Sequence, residues 1–316
     1  MGILIDSLES NDFMEMESAL SAWDHRYRQI GRGAFSGSLF LTQAGSLGLF
    51  RNRWERAIHY QGVAPKGTVA LAITLNQSNE GRWMGQRLGF DDLIVAGCEV
   101  EGEYRSASLW DSIVCTIPEA ELAQQIAEIT HDDPEKFIAL GIARLSPQAA
   151  AQVRQATLSY LGEIQQFGAR PALQSMLMER ASALVELLAQ VLVDSRRPRC
   201  MSVPLHKQRQ IIRKTEKYVY SLGDQPLRIG LLCRELGVNE RTLQYAFRRA
   251  ADTSPLSYLK TQRLNQARRA LHAAGPGEVR IKVVTYSHGF RHLGNFCKDY
   301  KQLFGETPSD TLRRRR

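Results

Sequence analysis

Two segments in the last third of the sequence repeat one pattern in the same order. Each has a short apolar helix, then a glycine, then a second helix that carries polar and basic residues. The patterns run over residues 229–247 and 281–300, with Gly237 and Gly289 at the bends. Glycine adopts the left-handed conformation that ends such a helix without a steric penalty. A pair of helices joined in this way places its second helix in the major groove of DNA. The sequence therefore predicts two helix-turn-helix motifs in series.

One amphipathic helix is predicted to join the two motifs and another to precede them. The preceding helix is expected over Leu205–Leu222 and the joining helix over Pro255–Ala273. Apolar residues at helical spacing predict a buried face on the joining helix: Leu259, Leu264, Ala267 and Leu271. Its arginines are expected to be exposed: Arg263, Arg268 and Arg269.

The second helix of the first motif has two different faces. Asn239 is suited to cap its N-terminus, and Leu243 and Phe247 are expected to be buried. The opposite face carries the residues expected to bind DNA: Arg241, Thr242, Gln244, Tyr245 and Arg248. Arginine pairs with guanine, glutamine with adenine, and tyrosine can touch a thymine methyl, whereas a threonine hydroxyl suits a phosphate. A solvated polar face is the alternative.

The corresponding helix of the second motif has a different outward face. Leu293 and Gly294 have no side chain that could donate a hydrogen bond to a base. This helix is therefore expected to hold phosphates more than it reads sequence. Its DNA-binding candidates are Arg291, His292, Asn295 and Lys298, of which the last three are the better candidates for base contacts. Aromatic residues every four positions are expected to anchor it in the core: Phe296, Tyr300 and Phe304.

Charge is distributed unevenly along the 316 residues. From Met201 onward there are 23 Lys and Arg against 9 Asp and Glu, a net charge of +14. The first 200 residues carry a net charge of −6, which gives +8 for the whole chain. A concentrated basic region suits a polyanionic partner, so the C-terminal part is expected to bind double-stranded DNA.

The N-terminal part predicts a β-rich domain followed by helices. One short helix is expected over Phe13–Trp23, and short segments punctuated by glycine, from about Arg26 to Ile117, predict antiparallel strands in a sandwich or small barrel. Helical spacing follows over 118–129, 146–167 and 170–193. Two interpretations of these helices stay open, packing on the β-domain core or contact in a dimer. The predicted α+β organisation is a domain over 1–193, a linker over 194–204 and a DNA-binding domain over 205–316.

The C-terminal part resembles the DNA-binding domain of the AraC/XylS family of bacterial transcription regulators. The resemblance rests on five segments: Arg241–Phe247, Ser254–Leu259, Arg263–Arg268, Gly289–Phe296 and Phe304–Pro308. It implies two helix-turn-helix units that grip adjacent major-groove segments, in a regulator that is more often an activator. It also implies a sensing or dimerising N-terminal domain, often cupin-like, a homodimer, and RNA polymerase as a partner.

Two positions depart from the family pattern. Asp252 stands where glycine is usual, and aspartate tolerates the left-handed conformation. Thr285 stands where a small alanine is usual in the first helix of the second motif. The pattern around Gly289 and Pro308 further resembles a subgroup that includes ethanolamine-operon regulators, without implying their ligand.

A small-molecule effector is expected in the interior of the β-domain. The default pocket of such a domain is lined by aromatic residues and a few polar groups. The candidates in strand-like segments are Trp54, His59 and Trp83. Ordinary packing of these side chains is the alternative interpretation.

Other chemistry has weak support in the sequence. Gly31–Gly37 lacks the spacing of a phosphate loop, the Gly289 turn separates His288 from His292, and neither a metal site nor a cofactor is expected. A cupin-type enzyme would need more histidines than His25 and His59 in the β-domain, so no enzyme is expected.

Five cysteines without a paired spacing indicate reduced thiols. Without an apolar run of 18 residues or a basic leader, a cytoplasmic protein that binds no membrane is expected. A non-specific architectural DNA-binding protein is the alternative function.

Overall fold

The computed structural model describes residues 2–77, 81–199, 203–222, 228–274 and 279–313. The chain has an α+β fold, with a β-rich N-terminal part and a helical C-terminal part. It divides into two compact units. The first unit comprises Met1–Tyr27, Ser36–Glu55 and Tyr60–Cys200. The second comprises Arg28–Phe35, Arg56–His59 and Met201–Arg316.

Thirteen strands are described, in two sheets. The larger sheet has the order β1-β3-β4-β11-β6-β9-β12-β13 and the smaller one β2-β5-β10-β7-β8. The strands are β1 (Leu4–Ser10), β2 (Asp24–Gln29), β3 (Gly37–Ala44), β4 (Leu47–Trp54), β5 (Ile58–Val63), β6 (Thr68–Thr74), β7 (Arg82–Trp83), β8 (Gln86–Arg87), β9 (Asp92–Ala96), β10 (Gly102–Arg105), β11 (Trp110–Pro118), β12 (Gly141–Arg144) and β13 (Arg196–Arg199).

The first strand was not predicted from the sequence. β1 pairs antiparallel with β3 at the edge of the larger sheet, from Leu4 opposite Gln43 to Ser10 opposite Gly37. It is almost entirely exposed, so it lacks the alternation of buried and exposed residues by which a strand is recognised. The helix that follows, α1 (Phe13–Ala19), is shorter than expected; the Asp12 carboxylate caps it by accepting a hydrogen bond from the Met14 amide at 3.0 Å.

The central strands of the larger sheet are buried on both faces. On β11, Ser112 and Val114 point to one side, where they line an aromatic cavity. Ile113 and Cys115 point to the other side, into a large hydrophobic core. Successive side chains of a strand point to opposite faces, so one strand serves both the cavity and the core.

Helices cover the core side of the larger sheet. They are α2 (Glu119–Ile129), α3 (Glu135–Ile138), α4 (Pro147–Phe167), a 3-10 turn (Pro171–Leu173) and α5 (Gln174–Asp194). The apolar stripe of α5 is buried in that core, for example at Leu184, Leu188 and Leu192. The stripe therefore packs on the β-domain, the first of the two interpretations that the sequence left open.

The segment predicted as a linker contains a strand. Within residues 194–204, β13 (Arg196–Arg199) pairs antiparallel with β12, with Ile142 opposite Arg199 and Arg144 opposite Arg196. Pairing of the backbone requires no apolar pattern, which explains why the polar, proline-containing sequence gave no strand signal.

Helices form the C-terminal part of the second unit. They are α6 (Val203–Leu222), α7 (Ile229–Leu236), α8 (Glu240–Ala251), α9 (Pro255–Ala273), α10 (Ile281–Ser287), α11 (Leu293–Phe304) and α12 (Pro308–Arg313). The α7–α8 pair shares a core around Leu232, Leu243 and Phe247. Among the described helices, none combines the length and apolarity needed to cross a membrane.

Candidate nucleic-acid interface and effector cavity

The first bend has the geometry that its sequence predicts. Gly237 ends α7 with a φ of 63°, in the left-handed region. Asn239 then caps α8, because its Oδ1 accepts a hydrogen bond from the Thr242 amide at 2.7 Å. The glycine fixes where α7 ends and the asparagine fixes where α8 begins, so the direction of α8 is set locally.

The faces of α8 separate buried from exposed residues as expected. Leu243, Ala246 and Phe247 are buried. Most of the DNA-binding candidates lie on the other side and are exposed: Arg241, Thr242, Tyr245 and Arg248. Gln244 is half-buried. One helix face therefore offers guanidinium, hydroxyl and phenol groups together, a set that can contact both base edges and phosphates.

The second bend repeats the left-handed glycine but not the cap. Gly289 has a φ of 74°, and α11 begins after His292 without a side-chain hydrogen bond at its N-terminus. Arg291 and His292 therefore precede the helix rather than lying on its outward face as expected, because His292 has an extended backbone. His288 lies on the α10 side of the bend, with its Nδ1 2.8 Å from the Val284 carbonyl oxygen.

The N-terminus of α11 is open to solvent. Residues 291–295 and Lys298 are all exposed, and a Cβ added at Gly294 would meet nothing within 4 Å. The first amides of a helix have no partner within the helix and carry a partial positive charge. An exposed helix N-terminus with Asn295 in its first turn can therefore hold a phosphate, as the sequence predicted for this motif.

The anchoring of α11 confirms the predicted aromatic spacing. Phe296, Tyr300 and Phe304 are all buried. Burial raises the pKa of Tyr300 to about 12, so its phenol stays protonated and shares a hydrogen bond of 2.8 Å with the Thr311 hydroxyl.

The departure from the family pattern at Thr285 is accommodated, because its buried hydroxyl donates to the Ile281 carbonyl at 2.8 Å. Asp252 has a φ of 53°, in agreement with the expectation that it tolerates the left-handed conformation.

The prediction that Arg268 is exposed was wrong. Its side chain is 3% exposed and forms an ion pair with Glu306, while its guanidinium lies 4.9 Å from the centre of the Phe304 ring. Arg263 and Arg269 are only half-buried. A buried guanidinium requires a charged or hydrogen-bonding partner, and here Glu306, located 38 residues further along the chain, supplies it.

An aromatic cavity lies within the first unit, between strands of both sheets. Its volume is about 80 Å³, and its described lining contains no Lys, Arg, Asp or Glu. Half of the lining residues are aromatic: Trp23, Tyr27, Phe50, Trp54, Tyr60, Trp83, Tyr104 and Trp110. One water needs only about 10–15 Å³ of such space, so the cavity has room for a small organic molecule.

The polar atoms of this cavity are few and differ in their bonding. The Trp54 indole donates to the Ser106 hydroxyl at 2.9 Å and the Trp110 indole donates to the Ser112 hydroxyl at 2.8 Å. The Trp83 Nε1 is buried and has no hydrogen-bond partner among the described residues. A buried donor without a partner is costly, so a ligand acceptor that came within reach of the Trp83 Nε1 would be favourable.

Two phenols in the wall are held in their neutral form. Burial raises the pKa of Tyr27, and the neighbouring Tyr60 and Glu17 raise it further. Burial likewise raises the pKa of Tyr60, with contributions from Glu101 and Asp24. The cavity therefore presents neutral hydroxyl groups, indoles and aromatic faces.

Of the effector candidates, Trp54 and Trp83 line this cavity and His59 does not. His59 is buried in the second unit, with its ring centre 6.3 Å from that of Tyr258. The neighbouring Tyr60 lines the cavity. Adjacent residues of a strand point to opposite sides, which explains why His59 and Tyr60 do not share one environment.

The family match lies in the C-terminal part of the chain. Residues 232–314 match the family described as a helix-turn-helix domain. Over 103 residues the chain is 36% identical to a probable thc operon regulatory protein of Rhodococcus erythropolis, which covers 33% of this chain and 31% of that protein. Over 76 residues it is 36% identical to a XylDLEGF operon transcriptional activator of Pseudomonas putida, which covers 24% of each. The chain thus spans a third or less of these relatives' length.

Solved structures are similar over different extents. The AraC-like transcriptional activator CuxR is 14% identical with a TM-score of 0.47, and the similarity covers 90% of this chain and 100% of that one. A probable AraC family transcriptional regulator from Rhodopseudomonas palustris is 32% identical with a TM-score of 0.30, covering 33% of this chain and 95% of that one.

Proposed function

We propose, from the premise that residues 232–314 form a helix-turn-helix domain of the AraC/XylS type, that the chain is a sequence-specific DNA-binding transcription regulator. The observation that carries the proposal is the pair of exposed helix starts that follow the left-handed glycines at 237 and 289. Two such helices in one chain can enter successive major-groove segments. The relative from Pseudomonas putida is a transcriptional activator, which favours activation over repression.

The proposal assigns different DNA contacts to α8 and α11. On α8, Arg241, Gln244 and Tyr245 read base edges, with Thr242 and Arg248 nearby for phosphates and bases. On α11, the open N-terminus holds a phosphate, with Arg291, His292, Asn295 and Lys298 around it. Support comes from the exposure of these residues, apart from the half-buried Gln244, and from the net charge of +14 after residue 200.

An effector binds in the aromatic cavity of the first unit. The absence of charged side chains from its described lining favours a neutral ligand, because an isolated charge is costly to bury. The unpartnered Trp83 Nε1 favours one with a hydrogen-bond acceptor. The proposed class is therefore a small, neutral, planar aromatic compound with a carbonyl or similar acceptor, bound against Trp54 and Trp83.

The remaining partners follow from the family resemblance. A homodimer and RNA polymerase are proposed as partners on that ground, and a cytoplasmic location follows from action on promoter DNA. The subgroup resemblance around Gly289 and Pro308 stays a prediction, because the relatives matched above are named for other operons.

Selection of DNA by the purified full chain tests the function. Random duplexes are enriched by binding, and the affinity for the enriched sequence is compared with that for a scrambled duplex of equal length. A specific regulator prefers its site by about a thousandfold or more at physiological salt. Equal affinity for both duplexes would instead support the architectural alternative.

Thermal unfolding with two probes tests the effector class. Benzamide is neutral, planar and carries a carbonyl acceptor, while benzoate has similar size but a negative charge. A ligand that binds only the folded state raises the melting temperature. We expect benzamide to do so, benzoate to have little effect, and Trp83→Phe to reduce the benzamide shift. Stabilisation by benzoate alone, or a shift that Trp83→Phe leaves unchanged, would contradict the proposed class.

A further inference from the structure

Two short segments from the N-terminal part of the sequence belong to the second unit. They are Arg28–Phe35 and Arg56–His59, together called the strap below. The amides of Ile30 and Gly31 both donate to the Ala57 carbonyl, each at 2.9 Å, so the two segments are joined to each other. Gln29, Phe35, Ile58 and His59 are all buried.

Asn265 of α9 holds the strap through its backbone. The Gln29 amide donates to Asn265 Oδ1 at 2.9 Å, and Asn265 Nδ2 donates to the Gln29 carbonyl at 2.9 Å. The same Nδ2 also donates to the Thr261 carbonyl at 2.9 Å. Asn265 is 1% exposed. The Asn265 side-chain amide therefore bonds to both the amide and the carbonyl of Gln29, as the backbone of a neighbouring strand would.

The strap also caps the C-terminal end of α11. The Gln29 side chain donates from Nε2 to the Leu303 carbonyl at 2.7 Å, and the Gly33 amide lies 3.0 Å from the same oxygen. The last carbonyls of a helix lack partners within the helix. A Cβ added at Gly305 would lie 2.3 Å from the Ala34 nitrogen, so the strap and the end of α11 are in close contact.

These contacts join α9 to α11 without covering the exposed N-terminus of α11. The strap bonds to the last turn of α11, whereas residues 291–295 at its other end are exposed. The strap can therefore orient this helix but does not block it. Asn265 lies on α9, the helix that connects the two motifs.

We propose that the strap, held by Asn265 and Gln29, fixes the orientation of α11 for DNA, so that these two are positioning residues for the second motif. The inference rests on the proposed function, because it requires that α11 contacts DNA. It assigns to N-terminal residues a part in DNA binding that no helix-turn-helix sequence pattern contains.

The test compares Asn265→Asp with a matched control on the same helix. Asn265→Asp keeps the shape but removes the donor to the Gln29 and Thr261 carbonyls and adds a charge. Gln266→Glu makes the same chemical change at an exposed neighbour. Each variant is titrated with two duplexes: the full selected site, and one cut after the half that contacts α8.

The wild type and Gln266→Glu are expected to lose affinity on the shortened duplex. Asn265→Asp is expected to bind the full site about tenfold more weakly, a difference of about 1.4 kcal/mol, and to bind both duplexes alike. Gln29→Glu, which removes the donor to Leu303 from the strap side, should reproduce this pattern. Because both residues act through the strap, the double variant should lose little more affinity than either single one.

Other outcomes are distinguishable. The positioning role would be overturned if Asn265→Asp preferred the full site over the shortened duplex as strongly as wild type does. It would also be overturned if Asn265→Asp and Gln29→Glu bound both duplexes more weakly by the same factor, since such a uniform loss of affinity indicates a general effect on the fold. A wild type that binds the two duplexes alike would instead contradict the proposed function itself.

Discussion

The two helix-turn-helix motifs share one bend and differ in what surrounds it. At Gly237, an added Cβ would meet nothing within 4 Å, whereas at Gly289 it would lie 2.6 Å from the Arg263 guanidinium. The first recognition helix has an asparagine cap and a polar face, while the second begins uncapped at Leu293. The left-handed glycine ends the first helix of each motif in the same way, and the residues beyond it give the second helix its different N-terminus and face.

The motifs also differ in how they are held together. In the first, Phe247 packs against Tyr258 with ring centres 5.2 Å apart, and the Tyr258 hydroxyl donates to Glu216 at 2.7 Å. In the second, the buried Arg268–Glu306 ion pair lies beside the Phe304 ring. Glu216 also pairs with Arg28, at 3.7 Å from its Nη1. Each motif therefore holds a carboxylate paired with an arginine, but Arg268 is more deeply buried than Arg28, at 3% against 17% exposed.

The largest expected effect concerns these two carboxylates. Glu306→Ala leaves the Arg268 guanidinium buried without its charge partner, which is expected to cost about 3–5 kcal/mol of stability. Glu216→Ala leaves the Tyr258 hydroxyl and the Gln262 amide without their acceptor and Arg28 without its carboxylate. Because Arg28 is more exposed than Arg268, the expected cost is lower, about 1–3 kcal/mol. Hydrogen exchange at the buried amides of α9 measures both. Equal losses would remove this distinction between the motifs.

A second comparison concerns base reading. Arg241→Ala on α8 is expected to weaken binding to the selected site by about 1–3 kcal/mol and to relax the preference at one base position. Asn295→Ala on α11 should cost less and relax no position if that helix mainly holds phosphate, as proposed. Competition with single-base variants of the site measures both. An equal loss for Arg241→Ala on random DNA would show that Arg241 does not read a base.

The bends themselves give a third comparison. Alanine in the left-handed conformation costs about 1–2 kcal/mol, so Gly237→Ala should destabilise the second unit by roughly this amount. Gly289→Ala should cost more, because its Cβ must also displace Arg263, whose Nη1 lies 3.3 Å from the Gly289 carbonyl oxygen. Denaturant unfolding of the two variants against wild type measures the difference. A larger loss of stability for Gly237→Ala than for Gly289→Ala would mean that Arg263 can move aside at no cost in stability.

The smallest expected effect is at Lys298, which is exposed on α11. Its ammonium is a point charge without the paired geometry of a guanidinium. Lys298→Ala should therefore weaken binding to all sequences alike and reduce the slope of log affinity against log salt by about 1. Titrations at several salt concentrations check this. A loss confined to the selected site would assign Lys298 to base reading.

Local features of this chain could be predicted from the sequence and long-range ones could not. The bends at Gly237 and Gly289 and the buried face of α11 depend on residues only a few positions apart. Sequence spacing was therefore sufficient to predict them. Arg268 was misjudged because its partner Glu306 is distant in sequence. The strap was missed for the same reason, since Gln29 and Asn265 are 236 residues apart. The edge strand β1 was missed because exposure removes the apolar alternation.

Hydroxyl-radical footprinting of the full chain on its selected DNA tests the two-helix account most directly. Two helices in successive major-groove segments should protect two blocks on one face of the duplex, with centres roughly one helical turn, about 34–36 Å, apart. Arg241→Ala should weaken one block and Asn265→Asp the other. A single protected block, or uniform protection along the duplex, would contradict the account.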